Sequence, residues 1–167
     1  MTEPSSQTPA APEPEPTPEE IDTWHRVFAQ GSFNRAWELL DATGLTREQE
    51  EDMLAATLAS RHHWHQVGTA RNLAIADWQV SRVAVVLGYA DLARRFGERS
   101  LEIAVENELD PFVTGFAHEA IARAAAEVDD VETFDEHLQL ARSMLAEIAD
   151  DEERDLLAVD LAEMSES

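Results

Sequence analysis

Residues 72–88 read NLAIADWQVSRVAVVLG and residues 111–127 read PFVTGFAHEAIARAAAE. Placed at 100° per residue, both segments are apolar or small on nearly every side. A helix of that kind must be surrounded, so the two predict central helices of an all-α domain. The segments that follow each of them have the opposite character. Residues 90–107 put Leu92, Phe96, Ser100 and Ile103 on one face and Arg94, Arg95, Glu98, Glu102 and Glu106 on the other. Residues 131–148 set Phe134, Leu138, Ala141, Leu145 and Ile148 against Asp135, Glu136 and Arg142. One-sided helices of this type lie on the outside. The charges on the central pair, Arg82, Glu119 and Arg123, are then the informative ones, because ionisable groups are seldom fully buried unless paired.

The central–outer alternation repeats. Gly88 followed five residues later by Ala93 returns as Asp129 followed by Phe134, 41 residues on, and Gly31 followed by Ala36 carries the same turn signature earlier. A glycine turn with a small residue five positions later resembles the tetratricopeptide (TPR) helix–turn–helix, although the period is longer than the 34 residues of that repeat. In this register Trp78 corresponds to Glu119 and Arg82 to Arg123.

Working outward, helix start and stop signals divide the chain. Thr17-Pro18-Glu19-Glu20 combines an N-cap, a Pro at the first helical position and a capping-box Glu, and Gly31 is expected to stop that helix. Ser32 is expected to cap a second, short helix through Leu40. Thr46 with Gln49 opens a third that ends near Gly68. The fourth runs from about Ala70 to Gly88, the fifth from Ala90 to Asn107, the sixth from Asp110-Pro111 to Asp129-Asp130, and the seventh from Val131 to Ile148. Asp150 with Glu153 caps a short eighth, expected to close the stack. No segment alternates with period two, so no sheet is expected. The expected fold is all-α, a short TPR-like stack of antiparallel helical hairpins with about eight helices over residues 18–164. Residues 1–17, MTEPSSQTPAAPEPEPT, have no large apolar residue after Met1 and predict a disordered acidic tail.

Composition excludes several functions. Thirty-five carboxylates face 12 cations, all Arg, for a net charge of −23. Such a field repels phosphate backbones and anionic headgroups, so neither nucleic acid nor membrane is expected as a partner. There is no Cys among the 167 residues, which removes thiolate ligands and cysteine nucleophiles. The opening MTEPSSQTPA has neither the basic nor the apolar run of a secretory signal, and the expected location is cytoplasmic. No Gly-rich phosphate loop and no nucleophile elbow is present, and no cofactor, catalytic residue or enzyme activity is expected.

The motifs SFNRAWELLD, MLAATLASRHHWHQVG, NLAIADWQVSRVAVVLG and FAHEAIARAAAEVDD resemble a family of small bacterial TPR-like helical proteins over roughly residues 32–150. The matching positions are Phe33, Asn34, Trp37, Ser60, Arg61, His63, Trp64, Gly68, Asn72, Trp78, Ser81, Arg82, Glu119 and Arg123. The chain departs from that pattern at Leu58, where the family has His, at His62 and His118 (Tyr), and at Asp77 (Glu). The resemblance implies a fold and no activity.

Two groups of residues are candidates for a site. RHHWH, residues 61–65, suggests a metal until helical directions are drawn: His63 points nearly opposite to His65, so three ligands cannot converge. His62 and His65 are expected to be half-exposed and His63, beside Trp64, to face the core edge. No metal site is expected. The second group is Trp78, Arg82, Glu119 and Arg123, placed by the repeat on the inner, groove-facing sides of the central helices, with Ile75, Val85, Phe116 and Glu127 flanking. Arg offers a planar fork for carboxylate or phosphate and Trp a flat face. Two readings stand. Glu119 and Arg123, four apart, pair with each other or with Arg82 as a structural cluster, or the group contacts a ligand such as an acidic peptide end or a small anion. The expected function is a binding module that engages a peptide or partner protein through a groove formed by His63, Trp64, Trp78, Arg82, Phe116, Glu119 and Arg123. The alternatives are a small-ligand or catalytic domain using His63, Arg82 and Glu119, and a self-associating module that forms a homodimer.

Overall fold

The structure is a computed structural model that describes residues 15–166. Most of the expected tail, residues 1–14, lies outside them. Seven helices account for the described residues: α1 (Pro18–Leu40), α2 (Arg47–Val67), α3 (Ala70–Val86), α4 (Ala90–Glu106), α5 (Pro111–Ala126), α6 (Val131–Leu145) and α7 (Asp151–Glu166). There is no strand among them, and none of these helices is long and apolar enough to cross a membrane.

The local signals act where they were read. Thr17 Oγ1 accepts from the Glu20 amide while the Glu20 carboxylate accepts from the Thr17 amide at 2.8 Å, and Thr46 with Gln49 forms the same box on α2. Asp110 and Asp150 each cap through a carboxylate oxygen. The turn after α3 is a Schellman motif: the Tyr89 amide donates to the Ala84 carbonyl, the Gly88 amide to Val85, and Gly88 has φ +73°. The turn after α5 copies it 41 residues later. The Asp130 amide donates to Ala125, the Asp129 amide to Ala126, and Asp129 sits at φ +57°.

One boundary differs. Gly31 does not stop a helix, and the two short helices expected on either side of it are the single 23-residue α1. Gly31 is exposed and takes no positive φ. A mid-helix Gly costs only about 1 kcal/mol relative to Ala, less than the packing of Ala29, Ala36 and Leu39, buried on both sides of it.

The helices pair as antiparallel hairpins, α1 with α2, α3 with α4 and α5 with α6, and neighbouring hairpins stack. Ser81 Oγ donates to the Ala93 carbonyl at 2.7 Å and Ser100 Oγ to the Ala74 carbonyl at 2.8 Å, so two serines pin α3 to α4 without an unsatisfied hydroxyl. Gly97 lets α4 approach α5 closely, with Ile121 only 3.3 Å from where its Cβ would stand. α3 and α5 are the central helices expected from their all-round apolar character, and each touches the inner helix of the next unit. α7 packs on both α5 and α6, sinking Leu157, Leu161 and Met164 among Ala122, Leu138, Ala141 and Ile148.

Candidate functional site: an aromatic trough over a buried ion cluster

The inner helices α1, α3 and α5 bring five aromatic rings into one connected row. Phe33 meets Trp37 at 6.3 Å between centroids, Trp37 meets Trp78 at 5.7 Å, Trp78 meets Phe116 at 5.1 Å, and Phe116 meets Phe112 at 4.9 Å. Three of these four contacts are edge-to-face, the arrangement that the ring quadrupole favours. The row, with Ile75, forms the floor of an open trough of about 920 Å³. The facing wall is α7. Its residues Glu152, Asp155, Leu156, Val159 and Asp160 fall on one side of the helix and border the trough, opposite the buried Leu157, Leu161 and Met164. Leu156 and Val159 are 60% and 58% exposed, apolar side chains with water over them. Beyond Phe33 and Ile75, which border both, a second recess of about 330 Å³ continues past Gln30, Asn34, Asn72 and Trp64. The two together make an elongated depression from α7 to α2.

Under the row of rings lies the ion cluster. Glu119 is fully buried and accepts three hydrogen bonds: from Trp78 Nε1 at 3.0 Å, from Arg82 Nη1 at 3.3 Å and from Arg123 Nε at 2.5 Å. Asp160 of α7 stands 4.0 Å from the far nitrogen of Arg82. Two guanidiniums and two carboxylates thus tie α3, α5 and α7 together. Burial, and after it the charge of Glu119, pushes the Asp160 carboxyl above the ordinary aspartate range against the pull of Arg82 and Arg123. Trp78 joins both layers, its ring in the aromatic row and its N–H on Glu119.

The residues expected at the site therefore divide. Trp78 and Phe116 border the trough and Trp64 borders its extension, with Ile75 between them. Arg82, Glu119 and Arg123 do come together, in the pairing that the repeat register gave, but none of them borders the trough. Each Arg gives one N–H to Glu119, and no Arg is among the residues that border either recess. His63 is elsewhere. Its Nδ1 lies 2.8 Å from Nδ1 of His25 on α1, with Phe28 stacked nearby, and burial followed by the charges of His25 and His62 lowers its affinity for a proton. It does not join Arg82 and Glu119. His62 and His65 are exposed. Among the described residues no three His, Asp or Glu side chains are grouped to hold a metal ion.

Sequence reading missed the wall contributed by α7 and the floor contributed by Phe33, Trp37 and Phe112. Phe33 and Trp37, four residues apart on α1, carried a signal in their spacing, which places both on one helix face. A second buried ion cluster was also missed. Asp77, with no exposed surface, is held by Arg61 and, at 3.2 Å, by Arg99, and Arg61 stacks over Phe96 at 5.0 Å. It braces α2, α3 and α4. One repeat later His118 takes the position of Asp77, and its Nδ1 lies 3.0 Å from Nδ1 of His137 on α6. No family model, no curated protein and no solved structure matches this chain.

Proposed function

We propose that this protein is a TPR-like binding module that holds a peptide, or an extended segment of a partner protein, in the trough. The observation that carries this reading is the continuous row Phe33–Trp37–Trp78–Phe116–Phe112, four half-buried rings around a buried Trp78, lining the trough and bordered by exposed Leu156 and Val159. A recess with an aromatic floor and an exposed apolar rim offers a partner's apolar side chains a surface to bury. The elongated shape favours a chain-like occupant over a compact ligand, and the buried cluster beneath keeps the rings in place. Panning a random peptide display library on the full chain tests it. Enriched peptides are expected to lose binding to the double variant Leu156→Arg/Val159→Arg, whose exposed positions tolerate the change. Equal binding to that variant refutes the reading.

A second reading, self-association, is favoured by another surface. Ile21, Trp24, Val27 and Phe28 form an exposed apolar stripe on the first half of α1, at the end of the stack opposite α7. Sedimentation of the wild type and of Trp24→Glu tests it: a dimer that the substitution splits supports it, and a monomeric wild type at high concentration rejects it.

A further inference from the structure

The trough has apolar and acidic sides and no basic one. Glu152 and Asp155 border it with no hydrogen bond or ion pair among the described residues, and the carboxylate of Asp160 lies deeper in the same wall. Arg71, just outside the residues that border the trough, is already held: its guanidinium pairs with Asp110, the N-cap of α5, and with Glu153 of α7 at 3.3 Å, while lying 5.7 Å from the centre of the Phe112 ring. Arg71 is thus a guanidinium over one ring of the trough floor, Phe112, held by carboxylates that lie beside the trough at the α5 N-cap and on α7.

Resting on the binding reading above, we infer that the occupant of the trough is a basic amphipathic peptide segment, with apolar side chains on the aromatic floor and Arg or Lys side chains against Glu152 and Asp155 of α7. Three observations support it. The unpaired carboxylates sit beside exposed Leu156 and Val159 on one face of α7, so a single ligand face meets both kinds of group. The floor next to them is aromatic, and Arg71 already lies over one of its rings, Phe112. The net charge of −23 attracts a basic segment from a distance and repels an acidic one. The chain's own first 14 residues are a poor occupant, since Glu3, Glu13 and their neighbours carry the same sign as the wall and offer no apolar anchor beyond Met1.

The test uses the full chain and three synthetic peptides of one helical pattern, Leu/Lys, Leu/Gln and Leu/Glu, titrated by calorimetry at physiological salt. The Leu/Lys peptide is expected to bind about tenfold or more tighter than Leu/Gln, and Leu/Glu not at all. Each unpaired carboxylate acts as a partly exposed charge, so Glu152→Gln/Asp155→Asn should weaken Leu/Lys binding by about five- to tenfold and leave Leu/Gln unchanged. Glu48→Gln/Glu50→Gln, at the exposed start of α2, should leave both unchanged. Equal affinity for Leu/Lys and Leu/Gln, lost in Leu156→Arg/Val159→Arg, overturns the charge inference while the trough remains the binding site. An equal loss from the α2 control reduces the effect to diffuse attraction by a polyanion and also overturns it. Binding that none of these variants alters overturns the trough reading itself. Circular dichroism melts of each variant separate lost binding from lost folding.

Discussion

Replacing Glu119 by Leu should be among the most damaging single changes in this protein, and the cost can be worked from the cluster. Glu119 has no exposed surface and accepts from Trp78, Arg82 and Arg123. Without it, the Trp78 N–H loses its acceptor, and the two guanidiniums, with side chains 19% and 18% exposed, retain Asp160 as the nearby carboxylate. The Arg123 Nη2 atom, already buried without a partner, stays so. Breaking a buried pair from one side typically costs about 3–5 kcal/mol. The partial exposure of both Arg side chains puts the expectation for Glu119→Leu near the lower end, about 3 kcal/mol. Arg82→Leu is a smaller loss, because Arg123 still neutralises Glu119, and about 1–2 kcal/mol is expected. In the double variant the surviving Arg123 no longer faces a second unpaired cation, so the combined cost should fall short of the sum by about 1 kcal/mol or more. Urea unfolding of the wild type, both singles and the double measures all three quantities. Strict additivity would falsify the claim that Arg82 and Glu119 are one energetic unit, and a Glu119→Leu cost below about 1 kcal/mol would show that water reaches the cluster as it reaches a surface pair.

Further outcomes follow from other sites. Gly31→Ala should stabilise by about 0.5–1 kcal/mol, since Gly31 lies exposed inside α1 with open space where a Cβ would stand; a loss of stability on thermal melting would mean that the backbone there is not helical. Asp129→Gly should stabilise by about 0.5–1 kcal/mol and Gly88→Ala should cost about 1 kcal/mol, because both positions hold left-handed backbone in equivalent turns; equal responses of the two in urea would break the equivalence. Burial, and then the charge of His137, lowers the pKa of His118 from 6.5 to about 4. Between these values the unfolded chain binds a proton that the folded one refuses, so stability falls as pH drops from about 6.5 toward 4. The full shift corresponds to about 3 kcal/mol, and solvent screening of this half-exposed ring reduces the expectation to about 1–2 kcal/mol. In His118→Phe that part of the pH dependence should vanish, and an unchanged slope in urea titrations across this range would refute the assignment.

The sequence by itself determined the helical class, nearly every helix boundary and the 41-residue register. Those features are local. A capping box closes within one turn between Thr17 and Glu20, a Schellman turn within six residues around Gly88, and an apolar periodicity is complete within one helix. The register reached further, to the contact of Trp78 with Glu119, because two copies of one unit stacked side by side place equivalent positions next to each other, and Arg82, one turn beyond Trp78, reaches the same carboxylate. What the tertiary structure decided is everything that depends on how the stack curves and closes. Gly31 is helical because α1 packs along its whole length, so a weak local stop signal lost to burial. His63 fell to the α1–α2 hairpin, where the partner that matters, His25, is 38 residues away and outside any repeat. Asp77 could be buried because Arg61 and Arg99 reach it from two different helices. The trough exists because α7 folds back on α5 and α6, burying one face and turning Leu156, Val159 and three carboxylates toward rings of α1, α3 and α5 that lie far away in the chain. Its pattern held two faces, and which of them would be covered was set by the surface that α5 and α6 had already built.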